Sequence, residues 1–254
     1  MARAAVLGRL SDRPLRWRVA TVREVVPETA HVATLVLDAE GWPGHRAGQH
    51  VDVRLTAEDG YQAQRSYSIA SAPEDAALAI TVERVEDGEV SPYLVDDARP
   101  GDQFEVRGPI GGHFTWSVDD GGPVLLVAGG SGLVPLMSML RHRAARRSEV
   151  EVYVLVSARS ADDALYRDEL AALMPSGGLH VAWTFTRRAP DGWDGFARRV
   201  DAAMLAQTGP PPDRAPRCFV CGPTPFVEAV AELLVDAGHA PARIHAERFG
   251  PTGG

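Results

Sequence analysis

Two hydrophobic rhythms divide the 254-residue chain. In the first half, apolar and polar residues alternate over short runs at 17–26, 32–37, 50–55, 78–85 and 104–106, with glycine and proline between them. A period of two puts the apolar side chains on one face of a strand. Several short strands with a single short helix candidate after Ser91 predict an antiparallel barrel or sandwich. After Asp119-Asp120-Gly121-Gly122 the rhythm changes. Apolar runs at 124–128, 150–156, 179–186 and 218–221 are separated by helical patterns. Such alternation predicts a doubly wound α/β domain: an open parallel sheet, helices on both faces, and ligands beyond the C-terminal ends of the strands. The break sets the expected domains at 1–119 and 120–254.

Composition narrows the function. Hydrophobic residues make up 45% of the chain, enough for a proper core in each domain. Acidic residues outnumber basic ones 34 to 26, net charge -8, which argues against a nucleic-acid binder. There is no lysine, so Schiff-base chemistry and a phosphate-loop lysine are excluded. Arg3, Arg9, Arg13, Arg16, Arg18 and Arg23, and then Arg141, Arg143, Arg146 and Arg147, read as solvated surface or as docking faces. Cys218 and Cys221 alone are too few for a disulfide framework or a four-thiolate cluster, and no second pair completes a zinc site, so no metal is expected. The apolar part of the longest uncharged run, 123–140, is broken by Gly129, Gly130, Gly132 and Pro135. It suits a strand, turn and helix start better than a membrane span, and a cytoplasmic protein is expected.

The clearest motif of the second half is Ala128-Gly129-Gly130-Ser131-Gly132-Leu133-Val134-Pro135, a strand entering a glycine turn and a helix. Missing side chains let backbone amides approach a pyrophosphate, and the helix start adds partial positive charge. The alternative is a tight turn without a ligand. Cys218-Phe219-Val220-Cys221-Gly222-Pro223 repeats the geometry, so two glycine turns face one crevice. Cys221 falls at the strand end, where a ligand-facing residue belongs, and Cys218 belongs to the core. In the first half, Arg65-Ser66-Tyr67-Ser68 closes a strand with a cation, a ring and two hydroxyls, either a phosphate clamp with a stacking surface or an ordinary barrel strand. Gly88-Glu89-Val90-Ser91-Pro92 reads as a turn with Ser91 as N-cap, a second place for an anion or a plain cap. His113, in a glycine-rich loop, reads as a surface residue.

Taken together and in this order, these segments resemble the ferredoxin-NADP reductase superfamily from about Trp17 to the C-terminus. The resemblance implies an antiparallel β-barrel FAD domain followed by an α/β NAD(P) domain. It implies hydride transfer from NAD(P)H to FAD and single-electron delivery to a separate iron-sulfur or haem protein such as a ferredoxin. A reductase of a small acceptor and a non-catalytic flavoprotein subunit are the alternatives. By position, Arg65 would pair with the flavin pyrophosphate, Tyr67 would stack on the isoalloxazine and Ser68 would hydrogen-bond near N5, with Ser66 and Val82 beside them. Gly88, Val90 and Ser91 would bind the pyrophosphate of FAD, favouring FAD over FMN. Gly129, Gly130, Ser131, Gly132 and Pro135 would hold the nicotinamide nucleotide, with Gly222 and Pro223 as the second turn and Cys221 near the carbon that gives up hydride. Glu247-Arg248-Phe249-Gly250 is similar to the family's C-terminal signature. There Phe249 would cover the flavin, and Glu247 would handle a proton or pair with an arginine. The chain departs from the plant-type pattern by continuing past Phe249, and its loop at 108–114 is one glycine longer than the common form. A 2′-phosphate needs cations where a ribose diol takes an acid. Arg159 and Arg187, at the ends of the second and third strands, therefore favour NADPH over NADH. Tyr166 is a candidate for stacking on adenine, and the neighbouring Asp162 and Asp163 weigh against a phosphate.

Overall fold

The structure is a computed structural model describing residues 15–250, apart from the side chain of Ser176. Arg3, Arg9 and Arg13 lie outside the described residues. The strands β1 (Trp17–Thr29), β2 (Val32–Ala39), β3 (His50–Thr56), β4 (Gln62–Ser68), β5 (Leu78–Glu83) and β6 (Gln103–Ile110) pair antiparallel in the order β4-β3-β6-β1-β2-β5. A bridge between Ile69 and Ile80 joins the two outer strands and closes the sheet into a barrel. Leu35, Leu37, Val51, Val53, Ile80, Val82 and Val106 fill its interior. The helical turn expected after Ser91 forms at Tyr93–Asp97, but Pro92 takes the cap position. Ser91 is buried, and its Oγ accepts from the Val85 N–H at 3.0 Å, closing the turn that follows β5 instead of capping the helix.

The second sheet is parallel: β7 (Val124–Gly129), β8 (Val152–Ser160), β9 (Leu179–Arg188), β10 (Arg217–Pro223) and β11 (Ile244–Phe249), ordered β11-β10-β7-β8-β9. The sequence predicts only four of these. β11 is an edge strand with no fully buried residue, so it lacks the continuous apolar run of a strand covered on both faces. Leu126, Val154 and Phe219 meet α1 (Leu133–Ala145) and Leu170 of α2 (Arg167–Leu173) on one face. Leu125, Leu155 and Val220 meet α3 (Ala202–Thr208) and α4 (Thr224–Asp236) on the other.

α4 buries Val227, Val230 and Leu234, the single stripe of a surface helix. α1 is buried nearly all round because its far side lies against the barrel, and Ala47, Ala70, Ala79, Phe114 and Trp116 share its core. Polar bonds cross this seam. The Tyr166 hydroxyl donates to Thr81 Oγ1 at 2.5 Å, and Ser138 Oγ donates to the Ser71 carbonyl at 2.7 Å. Arg141 lies over the Tyr166 ring, donates to the Ala70 carbonyl and grips the Glu169 carboxylate with two bonds. His142 Nε2 accepts from the Val118 N–H, so its Nδ1 carries the proton that faces Glu74. The arginine run after the apolar stretch is therefore partly internal. Arg143, 3% exposed, donates to the Val150 and Gly177 carbonyls, and only Arg146 and Arg147 of the four stay at the surface.

Candidate functional site

The C-terminal ends of β7, β8 and β9 and the start of α4 enclose a cleft of about 580 Å³. Thr29, His31, Val32 and Glu83 of the barrel form part of its wall. Of the residues expected from sequence, Gly129, Gly130, Ser131, Arg159, Arg187, Pro223 and Phe249 line it. Gly130 has φ +56° and open space around it, as a turn offering its amides to a ligand requires. Gly132 is needed for another reason: a Cβ there would lie 2.2 Å from the Cys221 carbonyl oxygen. A Cβ on Gly222 would lie 2.7 Å from the Phe226 ring. These two glycines let the strand-to-helix turns of β7 and β10 pack together. Pro135 is buried in the first turn of α1.

Arg159 and Arg187 are joined by Arg199, which sequence reasoning missed. Arg199 lies in the irregular stretch 189–201, where no motif marks it. None of the three makes a side-chain hydrogen bond or ion pair with a described residue. Asp162 is paired with Arg188. Asp163 lines the cleft and accepts from Ser160 Oγ at 2.6 Å. Tyr166 is closed off from adenine, being 5% exposed with its hydroxyl on Thr81.

A second group forms on the barrel. Arg65 reaches Glu89 at 3.2 Å, in the turn that holds Gly88 and Ser91. Tyr67 packs half-buried beside it with its hydroxyl toward Ser91, and burial pushes its pKa up. Ser66 points to the other face of β4, where its Oγ donates to Asp52 Oδ1 at 2.6 Å. Ser68 makes no side-chain hydrogen bond to a described residue. Val82 and Val90 are fully buried in the barrel core, so only their backbone is free to meet a ligand.

On β10, Cys221 pairs in register with Ala128 of β7 on one side and Glu247 of β11 on the other, and it belongs to the core and not to the cleft lining. The residue is 3% exposed, and burial and then the Glu247 charge push its pKa far up, so it is a neutral thiol. Burial also lifts the Glu247 carboxyl to about 7. Cys218 belongs to the core, as expected, 3.8 Å from His239 Nδ1.

A family model described as Oxidoreductase FAD-binding domain matches residues 18–116, and one described as Oxidoreductase NAD-binding domain matches residues 126–232. A cytochrome P450 reductase from Amycolatopsis is 31% identical, with TM-score 0.83 over 98% of this chain and 74% of that one. The chain belongs to the ferredoxin-NADP reductase superfamily. The glycine betaine monooxygenase reductase subunit of Pseudomonas aeruginosa is 35% identical over 212 residues, 82% of this chain and 57% of the relative. The flavohemoprotein of Bordetella pertussis is 34% identical over 251 residues, 94% of this chain and 61% of the relative. The chain thus spans under two thirds of these two relatives. As a member of that superfamily it carries an oxidoreductase FAD-binding domain and an oxidoreductase NAD-binding domain. Its residues suit FAD. Arg65 already holds an anion, the Glu89 carboxylate, at the turn, and Gly88 keeps that turn tight, since a Cβ there would lie 2.9 Å from Ser91 Oγ.

Proposed function

We propose that the chain takes a hydride from a nicotinamide nucleotide in the cleft onto FAD held by the barrel. The electrons then pass one at a time to a separate iron-sulfur or haem protein, such as a ferredoxin. One observation carries this reading: a single cleft has a glycine turn and arginines on one side, the barrel on the other, and Phe249 at its lining. Bound FAD supplies the conversion of a hydride into single electrons. Two relatives named as a monooxygenase reductase subunit and a cytochrome P450 reductase support a separate protein acceptor. The division between the two domains is proposed at residues 119 and 120, between the two sheets.

In this reading Arg65 neutralises the FAD pyrophosphate with the amides around Gly88, Val90 and Ser91. Tyr67 offers its ring to the isoalloxazine, the backbone of Ser66 and Val82 borders it, and the unengaged Ser68 hydroxyl donates near N5. The amides of Gly129, Gly130 and Ser131 hold the nucleotide diphosphate at the start of α1. Gly132, Pro135, Gly222 and Pro223 shape the paired turns. Phe249 covers the flavin face that the nicotinamide must reach. Cys221 packs beside the hydride-donating carbon, and Glu247, with a pKa of about 7, holds or releases a proton at neutral pH. Three unpaired arginines in the cleft favour NADPH over NADH.

The test is anaerobic. A yellow protein bleached by NADPH, which reduces cytochrome c only when ferredoxin is added, supports the proposal. A colourless protein that neither FAD nor FMN reconstitutes overturns it. Equal cytochrome c reduction without ferredoxin removes the ferredoxin as obligatory acceptor.

A further inference from the structure

Glu83 ends β5 on the barrel side of the cleft, and its carboxylate accepts a 2.5 Å hydrogen bond from the Ser131 hydroxyl across the seam. Ser131 is the middle residue of the turn Gly130–Gly132 that leads into α1. A protein carboxylate therefore sits on the hydroxyl of the turn that must receive a diphosphate. Its cationic chain neighbour does not neutralise it, because Arg84 is paired with Asp96 at 2.7 Å. Arg159, Arg187 and Arg199 line the same cleft without reaching Glu83.

We propose that Glu83 sets nucleotide affinity by competition. Its carboxylate holds the Ser131 hydroxyl and repels the incoming diphosphate, so binding exchanges the Glu83–Ser131 bond for a bond from Ser131 to phosphate. This rests on the cleft being the nucleotide site. Like charges about 4 Å apart in water weaken binding roughly fivefold, and salt reduces the effect.

The experiment is calorimetric titration of the FAD-loaded protein with NADP+, and separately with inorganic pyrophosphate, at low and high salt. Wild type is compared with Glu83→Ala and with Glu83→Gln, which keeps an acceptor for Ser131 but removes the charge. Both variants are expected to bind NADP+ about fivefold tighter at low salt, with the gain shrinking at high salt and reappearing for pyrophosphate. Unchanged or weaker NADP+ binding in both variants, with wild type binding normally, overturns the competition while leaving the nucleotide site intact. Failure of wild type to bind either NADP+ or NAD+ overturns the nucleotide site and the competition with it.

Discussion

Cys221 and Glu247 are register partners on two adjacent parallel strands, and burial raises the pKa of both, keeping the thiol neutral and bringing the carboxyl's titration to about 7. For Glu247 the consequence is a pH-dependent stability. Its carboxyl is raised from the ordinary 4.5 to about 7 in the folded chain. The folded state therefore holds a proton that the unfolded state has lost between those values. Stability falls as pH rises through that window, by about 3 kcal/mol at most. Urea denaturation at pH 5 and pH 8 should show wild type losing stability relative to Glu247→Gln, and parallel pH profiles would mean that Glu247 is ionised in the folded protein. Cys221→Ala should slow stopped-flow flavin reduction by at least ~10-fold while changing nucleotide affinity under ~3-fold, because a group beside the reacting carbon acts on the transition state. An unchanged reduction rate would refute that placement. Cys218→Ala should leave the rate alone and cost about 1 kcal/mol of stability. At this scale the motifs located most side chains but not their directions. Ser66 and Tyr67 are sequence neighbours, yet the pleat sends one to Asp52 and the other toward Ser91.

The turns after β7 and β10 work as a pair. Gly132 approaches the Cys221 carbonyl so closely that a Cβ would lie 2.2 Å away, and a backbone carbonyl cannot swing aside as a side chain would. Gly132→Ala should therefore destabilise the fold by about 1–3 kcal/mol in urea titration. A variant as stable as wild type would show that the two turns slide apart freely. The strand ends make a separate prediction. Replacing Arg159 and Arg187 together by alanine should lower kcat/KM for NADPH by at least ~10-fold and leave NADH nearly unchanged, since only the 2′-phosphate needs the cations. Adding Arg199→Ala should deepen the loss. Equal losses for both nucleotides would assign these arginines to the shared diphosphate. Arg159 and Arg187 were legible because apolar runs end beside them. Arg199 was not, because an irregular stretch carries it to the cleft.

Across the whole molecule, the core beneath α1 contains residues from both sheets, and bonds from Ser131, Ser138, Arg141 and Tyr166 cross the seam. A core shared in this way couples the two units. Thermal unfolding should give one cooperative transition with coincident fluorescence and circular dichroism profiles, and two resolved transitions would show that the seam contributes little. Charge is divided less evenly than the core. Residues 15–119 hold 18 acidic against 9 basic side chains, while 120–250 hold 15 against 14. The barrel side therefore favours approach of a basic protein, and reduction of a basic haem protein should slow as salt rises.

Local pattern determined the two sheets, because the period of two in a barrel strand and the continuous apolar run of a covered parallel strand are written by which faces each strand buries. The order of short motifs likewise carried the superfamily, since glycine turns and the Arg65 to Ser68 segment hold their meaning within a few residues. Only the tertiary structure decided what docking creates. Packing the barrel on α1 turned Arg141 and Tyr166 into seam residues, placed Glu83 opposite Ser131 and brought Arg199 into the cleft. Those partners are distant in sequence, and their contacts follow from the fit of two surfaces, which no local periodicity encodes.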